Sequence, residues 1–371
     1  MRIGIVCYPS HGGSGVVATE LGKQLANRGH KVHFISYNQP FRLNKFYDNI
    51  YYHEVDTPTY PLFKYPPYSL ALANKIAELI EYENLDVVHA HYAIPHSICS
   101  MIAKDIARKN DVGLVTTLHG TDITLVGNDP SFKELTKYSI EGTDGITAVS
   151  NALSKETKDI FGVESDIEVI YNFVDTDEYR RQLVPEVDIN PGGNGLKNII
   201  HISNFRKVKN IPNVIKTFNL ISKEIDARLL LVGGGPEERI AKKLIQEFGL
   251  EERVQFLGKQ DNIIPLLSIS DLLLLPSIKE SFGLVCIEAM SCEVPVITSN
   301  TGGLPEVVID GETGYLAHPD DYERMAEKSI KLLSDETMHK EFAQAGRKLV
   351  EDKFSAKKIV DKYEKFYKSL C

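Results

Sequence analysis

The feature that most constrains this chain is a pattern that runs once and then starts again. Short apolar runs, each followed by a loop and then a helical periodicity, occur at 3–7, 32–36, 87–91, 114–118 and 146–149. The alternation resumes at 198–202, 228–232, 254–257, 272–275 and 294–298. Such runs read as strands buried on both faces, and strand–helix alternation packs best as a mainly parallel sheet with helices on either side. Two series within 371 residues predict two α/β domains in place of one oversized core.

We expect a first domain over 1–170, a second over 171–352 with the hinge near 171–175, and a helix over 353–371 that returns to the first domain. The segment 183–196 carries two prolines and three glycines without apolar periodicity, the signature of an exposed loop just past the boundary. From 323 onward the pattern is helical and rich in Lys and Glu, consistent with two or three helices and no strand after 315–317. No internal repeat or low-complexity segment interrupts this scheme.

Composition narrows the function classes. A 43% hydrophobic and 25% charged chain has the balance of a soluble globular protein. Its net charge of -9 argues against general nucleic-acid binding, which needs a basic surface to displace counterions. The five cysteines are odd in number and lack Cys-x-x-Cys spacing, so neither a disulfide framework nor a zinc site is expected. The sequence enters a strand at Arg2-Ile-Gly-Ile-Val-Cys7 without a leader pattern, and no apolar run is long enough for a bilayer. A cytoplasmic setting is the expectation.

The residues that can do chemistry fall at strand ends. The first strand leads into Gly12-Gly13-Ser14-Gly15 and a helix. Glycines there permit close backbone approach, and the free amides of a helix start attract phosphate or carboxylate. The loop lacks Gly-x-Gly-x-x-Gly spacing and a Walker lysine, so a nicotinamide or P-loop site is not supported, and a plain tight turn is the competing reading. His119-Gly-Thr-Asp122 follows the strand at 114–118, where ligands of open α/β sheets sit. His119 can hydrogen-bond a sugar hydroxyl, and Asp122 can orient its imidazole or make another polar contact; the alternative is a capped loop with a satisfied histidine.

In the second series, Ser203-Asn204-Phe-Arg206-Lys207-Val-Lys209 sets three cations just past a strand in an acidic chain. Arg206 and Lys209 can neutralise a diphosphate, both when it binds and when it departs with added charge; a solvated surface run is the alternative. Gly233-Gly-Gly-Pro236 marks another strand-to-helix turn, serving either the ligand or the backbone beneath it. Glu280-Ser281-Phe282-Gly283-Leu284 then enters a helix that carries Glu288. Open amides at 282–284 and the helix dipole suit phosphate. Two turns of helix span about 11 Å, so the two acids can grip a sugar and a ribose; ordinary capping is the bland account. Asp175-Thr-Asp177 resembles the Asp-x-Asp pair that holds a metal in some sugar transferases, but no convergent oxygen set accompanies it, and metal independence is expected.

Taken in order, the Gly12 to Gly15 loop, His119-Gly120, Asn172-Phe-Val-Asp175, Arg206 with Lys209, Gly233 to Pro236, Glu280 to Glu288 and Gly302-Gly-Leu-Pro-Glu306 resemble the family 4 retaining glycosyltransferases. That resemblance spans nearly the whole chain. It implies the GT-B fold, with two Rossmann-like domains facing across a cleft. Phe173 stands where many relatives have glycine, and Asn204-Phe-Arg206 replaces a Gly-Arg-Leu.

The resemblance further implies that Glu288 holds the ribose, Glu280 the sugar 3-hydroxyl, and Arg206 with Lys209 the diphosphate, with His119 on the donor sugar. Gly13, Ser14, Asn204, Ser281, Phe282, Gly283 and Leu284 complete the expected donor site. Within the family, the stretches 7–17, 91–96, 116–124 and 203–209 resemble the branch that transfers N-acetylglucosamine from UDP-N-acetylglucosamine to the hydroxyl of L-malate, opening bacillithiol synthesis. For the acceptor, Ser14, Tyr92, Thr117 and Asn151 are expected contacts; Arg42 and Lys45 either add charge there or belong to a surface loop. A lipid or sugar acceptor and a non-catalytic nucleotide-sugar sensor are the competing functions, and a homo-oligomer is compatible with all of them.

Overall fold

The computed structural model of the protein describes residues 1–10, 12–57, 61–109, 111–183 and 196–370. The expected loop at 183–196 therefore lies outside the described residues except for its two ends, as does His11 in the first glycine loop. The chain forms two compact units, Met1–Asn172 with Lys357–Cys371, and Phe173–Ala356.

The first unit contains β1 (Arg2–Val6), β2 (Lys31–Ser36), β3 (Ile50–Glu54), β4 (Val87–His91), β5 (Gly113–Leu118), β6 (Gly145–Ala148) and β7 (Glu168–Val169). They form one sheet in the order β3-β2-β1-β4-β5-β6-β7, parallel throughout. The second unit contains β8 (Lys197–Ser203), β9 (Ala227–Gly233), β10 (Val254–Gly258), β11 (Leu272–Leu275), β12 (Val296–Ser299) and β13 (Gly314–Ala317). Their order, β10-β9-β8-β11-β12-β13, is again parallel. Both units are thus Rossmann-like, as the two series predict. The sequence pattern misses β3 and β7, because Ile50-Tyr-Tyr-His-Glu54 is only half-buried and β7 is two residues long.

Each sheet reverses its strand order once, between β1 and β4 and between β8 and β11. Loops leaving those neighbours at their carboxyl ends turn to opposite faces of the sheet and open a crevice. In the first unit they are the Gly12–Gly15 loop and the segment starting at Tyr92. In the second they are the loops that begin at Ser203 and Ser277.

Packing holds these loops on rigid supports. The Gly13–Asn27 helix buries Val17, Leu21 and Leu25, and Gly22 lies where a Cβ would come within 2.3 Å of the Phe34 ring. The Ile211–Glu224 helix, with proline in its first turn, buries Val214, Ile215, Phe218 and Ile221 in one cluster with Leu229 and Leu231 of β9. Each such side chain contributes about 1.5–3 kcal/mol when removed from water. The helices Tyr322–Ser334 and Glu336–Leu349 start on Asp321 and Asp335, whose carboxylates accept the amides of Arg324 and Met338.

The C-terminal crossing falls at Lys357, a few residues past the expected 353. Backbone bonds from Val174 to Phe354 (3.0 Å) and from Ala356 to Val174 (2.9 Å) keep the chain on the second unit until that point. Beyond it, Arg28 donates to Asp361 (2.5 Å) and Glu364 (2.9 Å), and Tyr363 and Tyr367 are buried in the first unit. Among the described residues, no helix is long and apolar enough to cross a membrane.

Candidate active site

In the second unit, the cations sit on a loop braced from below. Buried His201 donates Nδ1–H to the Leu274 carbonyl (2.8 Å), which leaves Nε2 to accept from the Ser203 hydroxyl (2.8 Å). Ser203 Oγ in turn accepts the Phe205 amide (3.3 Å). Burial pushes the His201 pKa down to about 4, so the imidazole stays neutral and this direction is kept. Sequence reasoning missed His201, which looked like one more strand residue. Gly233 and Gly235 lie against the same loop: a Cβ on either would meet the carbonyl oxygen of Ser203 at 1.8 Å or Asn204 at 2.2 Å. Their tertiary contact is therefore with the loop backbone, which leaves Asn204 and Arg206 exposed at its tip.

Lys209 ends the adjoining 3-10 turn, Lys207–Lys209, and its Nζ pairs with Glu280 Oε2 at 2.5 Å. A backbone bond from Ile278 to Val208 (2.8 Å) stitches the two loops together. After Glu280 the chain turns through Gly283, at φ +93°, into the Leu284–Ser291 helix, whose start has no side-chain cap. Glu288 is buried in the second turn of that helix. Phe282 is also buried, with its ring edge-on to Phe354 at 5.6 Å, so its backbone is the part a ligand can meet. Gly302 and Gly303 support this loop as Gly233 and Gly235 support the other. A Cβ at Gly302 would sit 1.9 Å from the Glu280 carbonyl oxygen, and Gly303 donates its amide to that oxygen at 3.0 Å.

In the first unit, Gly13 is exposed and Ser14 half-buried at the start of the Gly13–Asn27 helix, which has no side-chain cap. Gly15 faces the carbonyls of Tyr8 and Ser10 at distances no Cβ could accept. His119 directly follows β5. Asp122 does not orient its imidazole: the carboxylate accepts the backbone amides of Gly120 (2.8 Å), His119 (3.1 Å) and Ala93 (3.3 Å). It folds the turn and ties it to the segment after β4. Burial nevertheless lifts its pKa to about 6, with the three amides acting the other way. The imidazole is held instead by His91, whose Nδ1 lies 2.9 Å from His119 Nε2, while the Tyr92 ring stacks on its face at 5.7 Å. Tyr92 adopts φ +105°, strained for an L residue, with its amide bonded to Thr117 O.

The remaining expected acceptor contacts divide. Asn151 is exposed at the head of the Asn151–Phe161 helix and donates to Tyr171 Oη at 3.0 Å. Thr117 is fully buried. Its hydroxyl lies 2.6 Å from both His89 Nε2 and Thr147 Oγ1, and His89 Nδ1 continues to Tyr367 Oη at 2.7 Å. With both neighbours at hydrogen-bond distance and no exposed surface, the Thr117 hydroxyl is engaged inside the unit. Arg42 lies 3.9 Å from Glu20, and Lys45 sits over the Tyr47 ring. Asp175 accepts the amides of Asp177 and Glu178, forming a turn. Among the described residues, no three His, Cys, Asp or Glu side chains converge as metal ligands would.

Comparison with known proteins gives this geometry a context. Residues 11–178 match the pattern of "Glycosyltransferase Family 4" and residues 189–349 that of "Glycosyl transferases group 1". The chain is 50% identical over 368 residues to the N-acetyl-alpha-D-glucosaminyl L-malate synthase of Bacillus anthracis, covering 99% of this chain and 96% of that protein. The chain is a family 4 glycosyltransferase.

Its fold agrees with solved members of that architecture. Sucrose-phosphate synthase from Thermosynechococcus elongatus superposes over 100% of this chain and 99% of its own with a TM-score of 0.81 and 21% identity. Anabaena Alr3699/HepE, solved in complex with UDP and glucose, covers both chains fully with a TM-score of 0.82 and 21% identity. In this family 4 glycosyltransferase, the loops at the two strand-order reversals carry Gly13, Ser14, Tyr92, Arg206, Lys209 and Glu280, while His119 follows the neighbouring β5.

Proposed function

We propose that this glycosyltransferase moves N-acetylglucosamine from UDP-N-acetylglucosamine to the hydroxyl of L-malate with retention at the anomeric carbon, the first step of bacillithiol synthesis. The observation that carries this reading is the 50% identity, sustained over 99% of the chain, to the synthase of that name. Arg206, Lys209 and the amides at 282–284 neutralise the diphosphate, whose charge grows as it leaves. Glu288 holds the ribose and Glu280 the sugar 3-hydroxyl. Asn204, Ser281, Gly13 and Ser14 line the donor, and His119 contacts the sugar. Ser14, Tyr92 and Asn151 face the acceptor, with Thr117 beneath them.

The transition state resembles an oxocarbenium ion. The leaving phosphate oxygen takes the proton of the attacking malate hydroxyl on the same face, so no side-chain nucleophile is required. Charge neutralisation by Arg206, Lys209 and helix amides makes the reaction metal-independent. The proposed setting is cytoplasmic. Incubating the protein with UDP-N-acetylglucosamine and a panel of hydroxy acids, in buffer containing EDTA, tests this reading. The expected product is the α-glycoside of L-malate, read by mass spectrometry and NMR. No product with L-malate would overturn the acceptor, and loss of activity with EDTA would overturn metal independence.

A further inference from the structure

The contact between His91 and His119 has a direction that the surrounding packing decides. His91 closes β4 and His119 follows β5, adjacent parallel strands paired His91 to Thr117. The two rings are nearly parallel at 5.1 Å, and one nitrogen of each meets the other at 2.9 Å. Burial, followed by the neighbouring histidines, pushes both well below the ordinary imidazole range, His119 to about 3, so at neutral pH each carries one proton. Two neutral imidazoles in contact allow two arrangements. Either His91 donates Nδ1–H to His119 Nε2, or His119 donates Nε2–H to His91 Nδ1.

The far nitrogens differ in surroundings. His91 is fully buried, and among the described residues its Nε2 has no hydrogen-bond partner. The ring beside it, His89 at 4.3 Å, has both nitrogens engaged by Thr117 and Tyr367. His119 is only half-buried. In the first arrangement the orphan is a bare lone pair on His91 Nε2. In the second it is a buried N–H without an acceptor. Orphaned buried N–H groups are the rarer and costlier of the two.

We propose that His91 is a positioning residue that donates to His119 Nε2 and fixes His119 as the Nδ1–H tautomer, a neutral donor toward a hydroxyl oxygen of the transferred sugar. The ligand assignment rests on the donor reading given above; the tautomer does not. Neutrality has a chemical use here. An imidazolium would repel the positive charge that spreads over the sugar ring in the transition state, whereas a neutral N–H donor orients the ring without opposing it.

The test combines a spectrum with two near-isosteric variants. In protein labelled with 15N-histidine at pH 7, the His119 resonances, identified by their loss in His119→Gln, should show Nδ1 protonated and Nε2 bare. His91→Asn places an amide N–H where Nδ1 was, and should keep both this pattern and kcat within about threefold. His91→Leu removes the donor; His119 should shift toward Nε2–H, and kcat should fall about tenfold or more with a smaller change in KM for the donor. A wild-type His119 protonated at Nε2, or a Leu variant as active as the Asn variant, would overturn the proposal. The expected tautomer in a protein inactive toward UDP-N-acetylglucosamine would overturn the donor reading instead.

Discussion

At the scale of single residues, the pair to follow is Lys209 with Glu280. Their 2.5 Å contact is partly buried, with side chains 19% and 16% exposed. In the proposed donor site the carboxylate would compete with a diphosphate for the same ammonium while helping to hold the sugar. Glu280→Gln should separate these effects. Turnover should fall by about 100-fold or more, in line with losing one charged transition-state contact. UDP alone should bind a few-fold more tightly, because freeing Lys209 is worth on the order of 1 kcal/mol in a partly screened pair. Calorimetric titration of UDP against both proteins checks this; weaker binding in the variant would show that Glu280 organises Lys209 and does not compete for it.

At the scale of elements, the glycines act as spacers between loops. Gly302 combines φ +55° with a carbonyl where a Cβ would fall, so Gly302→Ala must displace the Glu280 loop. Gly249, at φ +66° with nothing within 4 Å of a Cβ, isolates the conformational part. We expect Gly249→Ala to cost about 1–2 kcal/mol and leave UDP affinity unchanged, whereas Gly302→Ala should weaken UDP binding about tenfold or more. Equal UDP affinities in the two variants would show that the loop tolerates the shift. The helix Ala356–Lys368 is a second such support, since Tyr367 reaches Thr117 through His89. Tyr367→Phe should lower stability by about 1–2 kcal/mol, the cost of a buried nitrogen left without its partner, as read from urea midpoints.

At the scale of the whole molecule, acid sensitivity is built in unevenly. In the first unit His33 and His96 are pushed down to about 4, and His89 and His119 to about 3, in each case chiefly by burial. These groups bind their protons at higher pH when unfolded, near 6.5, than when folded. Their stabilisation is therefore complete above that value and is lost as pH falls toward 4, at about 1.4 kcal/mol per pH unit for each histidine. Asp122 acts oppositely, because its pKa is raised to about 6 and the folded state keeps a proton the unfolded state releases. One group cannot offset four. In the second unit His201 responds in the histidine sense. Thermal melts should be flat above pH 7 and fall steeply between 6.5 and 4.5, with the first unit melting ahead of the second; a flat profile over that window would mean the histidines are solvated in solution.

Read by itself, the sequence determined the two Rossmann-like units and the glycine-rich loops at their strand ends. Apolar alternation reports burial directly, and glycine runs at strand ends report where backbone must turn. It could not determine partners at long separation. That Asp122 folds a turn and leaves His119 to His91, that His201 holds the Arg206 loop, and that Gly302 bears on Glu280 all follow from which strands lie side by side. A residue's neighbours across a parallel sheet are set by strand order and register, and those depend on packing of the whole unit. The sequence thus placed the candidate residues at strand ends, and the tertiary structure decided which of their atoms donate, which accept, and which are already occupied.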